Sequence, residues 1–308
     1  MAIIHAPHAL EGLGPSPKPI PLVAKPQPLT PLYHVQTIMG DRPDLIVSEL
    51  AGLAFDAQQS IFRPVDIDTM FSQEPYKSVI GEDIFIVIDP AAGGPNSDYA
   101  FVSFTRLRGS VRIVGGEILS GCKDPAKQFD LVEDHIRRLR IQCAQWNKSR
   151  IVIYVERNLG HEAEHHKYAL KHLPGVYFRE DAKESRVGVL TTASVKMGMA
   201  TGLNIMLREQ RVCCLPEKEF VCKQPREFVI RLRDQMNVYA LQFKDGTDVF
   251  CKQRMVLSGK IGGMKDDIII CLQLGIFFTD WDAQHGLKLF GEGGDLRSWQ
   301  GETTGVLG

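Results

Sequence analysis

The sequence lacks net charge of either sign. It has 36 Lys and Arg residues against 37 Asp and Glu residues, and its formal net charge at pH 7 is −1. Without a global positive field, any binding to nucleic acid must come from a local basic patch. Long apolar runs are also lacking: no stretch reaches about 18 apolar residues, so no membrane span is expected. The N-terminus has neither the charged start nor the apolar centre of a signal peptide.

A disulfide framework is a further feature that the sequence lacks. The seven cysteines are scattered and odd in number, and two of them, Cys213 and Cys214, are adjacent. This pattern predicts reduced thiols in a cytosolic or nuclear setting. The composition, with 44% hydrophobic and 24% charged residues, is typical of a globular protein, and 308 residues suffice for one large domain or two modest ones.

Proline separates the start of the chain from the rest. Residues 1–30 are proline-rich and have little periodicity, which is typical of an extended arm or linker. Residues 31–79 hold only short, weakly patterned segments. We therefore expect an arm and lead-in over residues 1–79 and one folded domain over residues 80–308.

Strand and helix patterns become clear from about residue 83. Short β-branched runs predict strands, and apolar residues three or four apart predict helices. The expected strands are 84–89, 99–107, 111–119, 151–156 and 176–178, with a hairpin formed by 238–243 and 249–255 around Asp245 and Gly246. The expected helices are 125–146, 162–172, 194–207, one within 217–236, and 265–280. This order resembles the ribonuclease H-like fold, an α/β fold with a central mixed β-sheet flanked by helices, here with an added β-hairpin.

Acidic residues stand at three ends of these elements. Asp89 and Glu156 each end an apolar strand, and Asp266 and Asp267 open an apolar helix. Taken singly, a strand-end acid is often a surface residue and a helix-start acid often serves as a cap. Taken together in this element order, the four acids predict a site for two divalent metal ions about 4 Å apart, which can hydrolyse a phosphodiester.

The residues around these acids resemble a known family. The segments IVIDPAAGGPNSDYA, IYVERN and GMKDDIIICLQLGIFF, and the stretch VGVLTTASVKMGMATGL between the last two, are similar to the nuclease motifs of the viral DNA-packaging terminase large subunit. The resemblance is to the herpesvirus and tailed-phage type, covers roughly residues 80–282, and is most herpesvirus-like in the last motif. It implies a metal-dependent endonuclease that cuts concatemeric viral DNA into genome lengths during packaging.

The resemblance also implies roles for residues and partners. Asp89, Glu156 and one or both of Asp266 and Asp267 would bind two Mg²⁺ or Mn²⁺ ions and carry catalysis, and Asp98 would assist. Double-stranded DNA would be the substrate, and other terminase subunits and the capsid portal would be partners. The location would be the host cell nucleus for a herpesvirus-like protein and the bacterial cytoplasm for a phage-like one.

A local basic excess precedes the last motif. Residues 223–265 contain nine Lys or Arg residues against four Asp or Glu residues. Phosphate contacts from such a segment give binding that tolerates sequence and weakens with salt. The candidate DNA-binding residues are Lys244, Lys252, Arg254, Lys260 and Lys265, although a charged stretch is usually a solvated surface.

The phosphate-binding loop of a packaging ATPase, G-x-x-x-x-G-K-[ST], is absent from the sequence. We therefore expect the nuclease region alone and assign no DNA translocation to this chain.

Two other functions are compatible with parts of the sequence. His161, Glu162 and His165 satisfy H-E-x-x-H, the zinc motif of metallopeptidases, and Glu184 stands at a plausible distance for a third ligand. A metallopeptidase function gives no role to Asp89, Asp266 and Asp267. A non-catalytic ribonuclease H-like module for DNA binding or assembly is the other alternative, and the intact acids argue against it.

Overall fold

The computed structural model of the chain describes residues 60–90, 97–157, 161–181, 184, 186–248, 251–260, 265–287 and 289–291. For residues 242–248, 251–256 and 291 it describes the backbone alone. All of these residues belong to one compact unit, residues 44–308.

The described residues form nine strands, and seven of these make one mixed sheet. The strands are β1 Ile84–Asp89, β2 Tyr99–Leu107, β3 Ser110–Leu119, β4 Ile151–Val155, β5 Val176–Arg179, β6 Val212–Cys214, β7 Ala240–Asp248, β8 Cys251–Ser258 and β9 Leu289–Gly291. The order across the sheet is β6-β3-β2-β1-β4-β5-β9, and β7 and β8 form a separate hairpin. β1 pairs with β2 antiparallel and with β4 parallel. β1 and β4 are apolar at almost every position because central strands are covered on both faces.

Among the described residues, six α-helices cover the two faces of this sheet. They are α1 Pro64–Ser72, α2 Pro125–Gln142, α3 Glu162–Leu170, α4 Ala193–Arg208, α5 Pro225–Val238 and α6 Asp267–His285. Side chains alternate between faces along a strand, so adjacent residues of β3 report which helices lie on each side. A Cβ at Gly115 would meet His135 of α2, and one at Gly116 would meet Phe228 of α5. α2 and α5 therefore lie on opposite faces.

α6 is the central helix of its layer. It packs against β1, β2, α4 and α5. Twelve of its residues are buried, including Cys271, Gln273 and Gly275, so it is covered on nearly every side. This burial places the start of α6 beside the end of β1, where the first acidic motif stands.

The sequence predicted the central elements closely and some boundaries less well. The strands predicted at 84–89 and 99–107 are β1 and β2. The helix predicted to reach residue 146 ends at Gln142 and continues as a 3₁₀ turn, Ala144–Trp146. The hairpin turn predicted at Asp245 and Gly246 was wrong: β7 runs on to Asp248, which pairs with Cys251. Asp245 and Gly246 instead lie where the register between β7 and β8 is irregular, and glycine is favoured at such a bulge.

Part of the expected lead-in packs into the core. α1 contacts α4, α5 and β6, and Ile61, Phe62, Ile67 and Met70 are buried with the sheet residues. The packed core of the described residues therefore includes residues before 80. Residues 1–59 lie outside the described residues, and for them the division at residue 79 stays a prediction. Within the described part of the chain, none of the helices has the length and apolar character needed to cross a membrane.

Candidate active site

Asp89 and Glu156 lie side by side at one edge of the sheet. β1 and β4 are parallel neighbours in which Ile88 is opposite Val155, so the next residue on each strand is the acid. The Glu156 N–H donates to the Ile88 carbonyl at 2.9 Å, which fixes the two strand ends together. Both carboxylates are nearly buried, with 9% and 7% of each residue exposed. The backbone therefore brings these two acids to the same edge of the sheet.

Residues just before α4 and in its first turn hold the Glu156 side chain. The Val189 N–H donates to the Val155 carbonyl at 2.8 Å, which extends the sheet past the end of β4. Thr191, just beyond, donates its hydroxyl proton to Glu156 Oε1. The ammonium nitrogen of Lys196 lies 3.7 Å from the same oxygen. A hydroxyl and a lysine thus partly offset the cost of burying this charge.

Asp266 is the residue that precedes the first turn of α6. Its Oδ2 accepts hydrogen bonds from the Gly259 N–H at 3.0 Å and the Ser258 hydroxyl at 3.5 Å. The ammonium of Lys260 lies 3.6 Å from its Oδ1. The carboxylate therefore turns away from its own helix and towards the segment that follows β8.

Asp267, the first residue of α6, contacts the start of β2. One carboxylate oxygen accepts from the Ser97 hydroxyl at 2.6 Å and the other from the Asp98 N–H at 2.9 Å. Burial raises the pKa of Asp267, and the neighbouring Asp266 charge raises it further against these hydrogen bonds. Asp267 thereby connects the loop after the first acid to the helix of the third motif.

Two buried side chains have pKa values that burial and the nearby acids raise. Burial raises the pKa of the Cys271 thiol, and the charges of Asp89, Asp267 and Glu156 raise it further. Burial likewise raises the pKa of the Tyr239 hydroxyl, with added contributions from Asp266 and Glu156. The charge of Glu156 thus raises the pKa of both groups.

These residues fit a divalent metal by their chemistry. Asp89, Glu156, Asp266 and Asp267 offer only carboxylate oxygens, the donors that Mg²⁺ and Mn²⁺ prefer. Among the described residues, however, no three His, Cys, Asp or Glu side chains are arranged to hold one ion as they stand. Glu156, Asp266 and Asp267 instead contact hydroxyls, backbone N–H groups and lysines.

The candidate DNA-binding residues fall into two groups. Lys260 is exposed beside Asp266, whereas the Lys265 ammonium lies 2.5 Å from Asp98 Oδ1. The side chains of Lys244, Lys252 and Arg254 lie outside the described residues. On the backbone, Lys244 is opposite Arg254 in the hairpin. Ser258, the last residue of that hairpin, donates its hydroxyl to Asp266 Oδ2.

The H-E-x-x-H residues do not form a site. His161 and His165 are exposed at the start of α3. Glu184, the proposed third ligand, lies 2.7 Å from the guanidinium of Arg157. In the described residues these side chains form no group that could hold a metal.

Sequence reasoning did not identify several residues that support the acids. Ser97, Thr191 and Gly259 contact Asp267, Glu156 and Asp266 respectively. A local signal existed for Thr191 alone, because a pair of threonines just before a predicted helix suggests capping. The helix cap itself is Thr192, whose hydroxyl accepts from the Val195 N–H.

Solved structures similar to this chain include two of the human cytomegalovirus terminase nuclease domain soaked with Mn. The inhibitor-bound structure has 11% identity and a TM-score of 0.51, with 70% of this chain and 94% of that chain covered. The structure without the inhibitor has 13% identity and a TM-score of 0.50, with coverages of 71% and 95%. The large terminase of a thermophilic bacteriophage reaches a TM-score of 0.44 at 12% identity, over 75% of this chain and 47% of that one. No protein-family model and no curated protein matches the sequence.

At these identities the similarity shows the fold. The seven-stranded mixed sheet with helices on both faces is of the α/β, ribonuclease H-like class. Within that class the chain has the fold of a terminase nuclease domain. The predicted fold class and structural resemblance are confirmed, and the roles of individual site residues stay predictions.

Proposed function

We propose that this chain is a metal-dependent DNA endonuclease of the terminase large-subunit type. One observation carries the proposal: Asp89 and Glu156 end adjacent parallel strands at the edge where Asp266 and Asp267 begin α6. Nearly buried carboxylates are costly unless a cation or hydrogen bonds offset their charge, and divalent metal ions would do so here. The shared fold with the cytomegalovirus terminase nuclease domain supports this assignment.

Two Mg²⁺ or Mn²⁺ ions would be held by Asp89, Glu156, Asp266 and Asp267. When bound, such a pair of ions supplies an activated water and stabilises the leaving oxygen of an in-line phosphodiester hydrolysis. Lys260 stands at the rim of this site and has the charge to bind substrate phosphate. The β7–β8 hairpin, with Lys244, Lys252 and Arg254, would bind the double-stranded DNA backbone farther from the cut, and Lys265 belongs to the same proposed surface.

The wider context belongs to the same proposal. The substrate would be concatemeric viral DNA, cut into genome lengths by residues 80–308 acting with other terminase subunits and the capsid portal. The site of action would be the host nucleus for a herpesvirus-like protein and the bacterial cytoplasm for a phage-like one.

Plasmid cleavage by the purified chain tests the proposal. Supercoiled plasmid is incubated with Mn²⁺, Mg²⁺, Zn²⁺ or EDTA, and nicked and linear products are measured. We expect cleavage with Mn²⁺ or Mg²⁺ and none with EDTA. Asp89→Ala should lower the cleavage rate at least about a hundredfold. Even the loss of a residue that only hydrogen-bonds to a metal ligand lowers activity about 10–100-fold. Asp130→Ala, which removes an exposed acid of α2, is the matched control and should cut at the normal rate.

The other functions give different outcomes. Cleavage that persists undiminished in Asp89→Ala would show a contaminating nuclease or another site. DNA binding without cleavage under any metal would support a non-catalytic module. Tightly bound zinc, together with peptide hydrolysis that is lost in His161→Ala, would instead establish the H-E-x-x-H peptidase.

A further inference from the structure

The start of α6 is capped by another helix. The first N–H groups of a helix lack partners within it, and an Asp immediately before the helix usually accepts from them with its own carboxylate. Asp266 occupies that position but makes no side-chain cap hydrogen bond. Its carboxylate accepts from Gly259 and Ser258 instead.

Gln235 of α5 supplies the missing acceptor. Its side-chain oxygen accepts from the Ile268 N–H at 3.0 Å and from the Ile269 N–H at 3.1 Å. Gln235 is 7% exposed, so these bonds are shielded from water. These two N–H groups are the ones that an Asp or Asn cap would normally satisfy. A neutral amide oxygen does so without adding another negative charge beside Asp266 and Asp267.

We propose that Gln235 is a positioning residue that keeps the Asp266 carboxylate in the acidic site. Without an acceptor at residue 235, Asp266, the residue at the N-cap position, has the carboxylate that can take over the Ile268 and Ile269 N–H groups. A rotation of that side chain satisfies the helix and withdraws the carboxylate from Gly259 and Lys260. The inference deepens the proposed nuclease function and rests on it for its consequence in metal binding.

Three variants isolate this effect. Gln235→Met keeps the length of the side chain and removes the acceptor, whereas Gln235→Glu keeps an acceptor oxygen. Gln128→Met removes a buried glutamine of α2, whose amide donates to the Cys122 carbonyl, and controls for general loss of stability. The measurement is Mn²⁺ affinity by calorimetry, using the metal alone. We expect Gln235→Met to weaken binding about tenfold or more, as for other residues behind a metal ligand. Gln235→Glu and Gln128→Met should bind at least about as tightly as the parent chain.

A double variant tests whether Gln235 acts through Asp266. In an Asp266→Asn background, Gln235→Met should cause no further loss of Mn²⁺ affinity. An equal further loss in that background, or unchanged affinity in the single variant, would overturn the inference.

Amide hydrogen exchange at Ile268 and Ile269 gives a readout that needs no metal. Exchange should stay slow in Gln235→Met, because Asp266 takes over the cap. Adding Asp266→Ala removes this second acceptor, and exchange should then accelerate roughly tenfold, which corresponds to the free energy of one helix cap. Asp266→Ala alone should leave these amides protected. If exchange accelerates equally in Gln235→Met and in the double variant with Asp266→Ala, Asp266 never becomes the cap and the inference is overturned. If the parent chain neither binds Mn²⁺ nor cuts DNA while this exchange pattern holds, the proposed function fails and the capping relation stands.

Discussion

At the residue scale, the acids of the site differ in what holds them. Asp267 has both oxygens bonded to donors beside β2, so its contacts also fasten α6 to the sheet. Asp266 has one oxygen bonded to a loop N–H and the other facing Lys260. Asp266 is therefore the freer of the two to take a new partner, and we propose it as the principal metal-binding acid of this pair.

Two buried histidines should make stability depend on pH. Burial lowers the pKa of His135 to about 3, helped by Arg138, and lowers that of His166 to about 4. In the unfolded chain a histidine titrates near 6.5. Between these values the unfolded state binds more protons, so stability is present above about pH 6.5 and is lost as the pH falls. We expect the free energy of unfolding, measured in urea, to fall between pH 7 and pH 5.5.

Replacing one of these histidines should reduce the slope of the free energy of unfolding against pH. His135→Asn removes one titrating group, so the difference in bound protons between the two states should fall by roughly one at the lower end of this range. A slope that His135→Asn does not alter would mean that His135 is protonated in the folded protein.

The acids were more predictable from sequence than the residues around them. A short apolar run that ends in a carboxylate gives both the strand and the position of its acid, as for Asp89. Ser97 and Gln235 have no such local signal, because each acts across the fold. Ser97 contacts a residue 170 positions away, and Gln235 caps amides more than 30 positions away. Hydrogen bonds of this range depend on helix packing, which periodicity does not specify.

At the element scale, the site depends on how closely α6 lies on the sheet. A Cβ added at Gly275 would stand 2.5 Å from a ring atom of Phe104 and 2.7 Å from a methyl carbon of Val87. The far end of α6 is fixed by Asp282, which accepts from the Tyr154 hydroxyl at 2.9 Å and from the guanidinium of Arg179. The helix is thus held close to β1 and β2 and anchored to β4 and β5.

Gly275→Ala should therefore destabilise the protein. An extra methyl in a packed interface forces shifts that cost about 1–3 kcal/mol. The measurement is the urea midpoint of unfolding. Gly202→Ala is the matched control, because a Cβ at this position of α4 meets nothing within 4 Å. Alanine is favoured over glycine in a helix, so Gly202→Ala should gain up to about 1 kcal/mol. A neutral result at Gly275 would mean that α6 can move away from the sheet without cost.

The strands also show which elements a sequence pattern can predict and which it cannot. β1 and β4 were predictable because buried parallel strands are short continuous apolar runs. β6 and β9 have three residues each, too few to show a period, and their pairing with β3 and β5 depends on the rest of the sheet. The hairpin turn was misplaced because an Asp-Gly pair also suits a bulge, and sequence alone does not separate the two.

At the scale of the whole molecule, charge is balanced overall and uneven locally. The net charge of −1 gives no general attraction for DNA, while residues 223–265 carry a local excess of five positive charges. α2 also bears arginines, but Arg137 pairs with Glu133 and Arg138 pairs with Glu117. Because neighbouring acids partly neutralise the arginines of α2, the hairpin before α6 is the better candidate for phosphate contacts.

Salt dependence should distinguish these two basic regions. Each lysine or arginine that binds a duplex phosphate contributes about 0.9 to the negative slope of log affinity against log salt. Replacing Lys244, Lys252 and Arg254 together by alanine should therefore weaken DNA binding and reduce the slope by about 2 to 3. The measurement is fluorescence anisotropy on a labelled duplex in EDTA, where cleavage does not interfere. Arg137→Ala should leave both affinity and slope unchanged. A slope that the triple variant keeps, or one that Arg137→Ala reduces, would move the DNA-binding surface away from the hairpin.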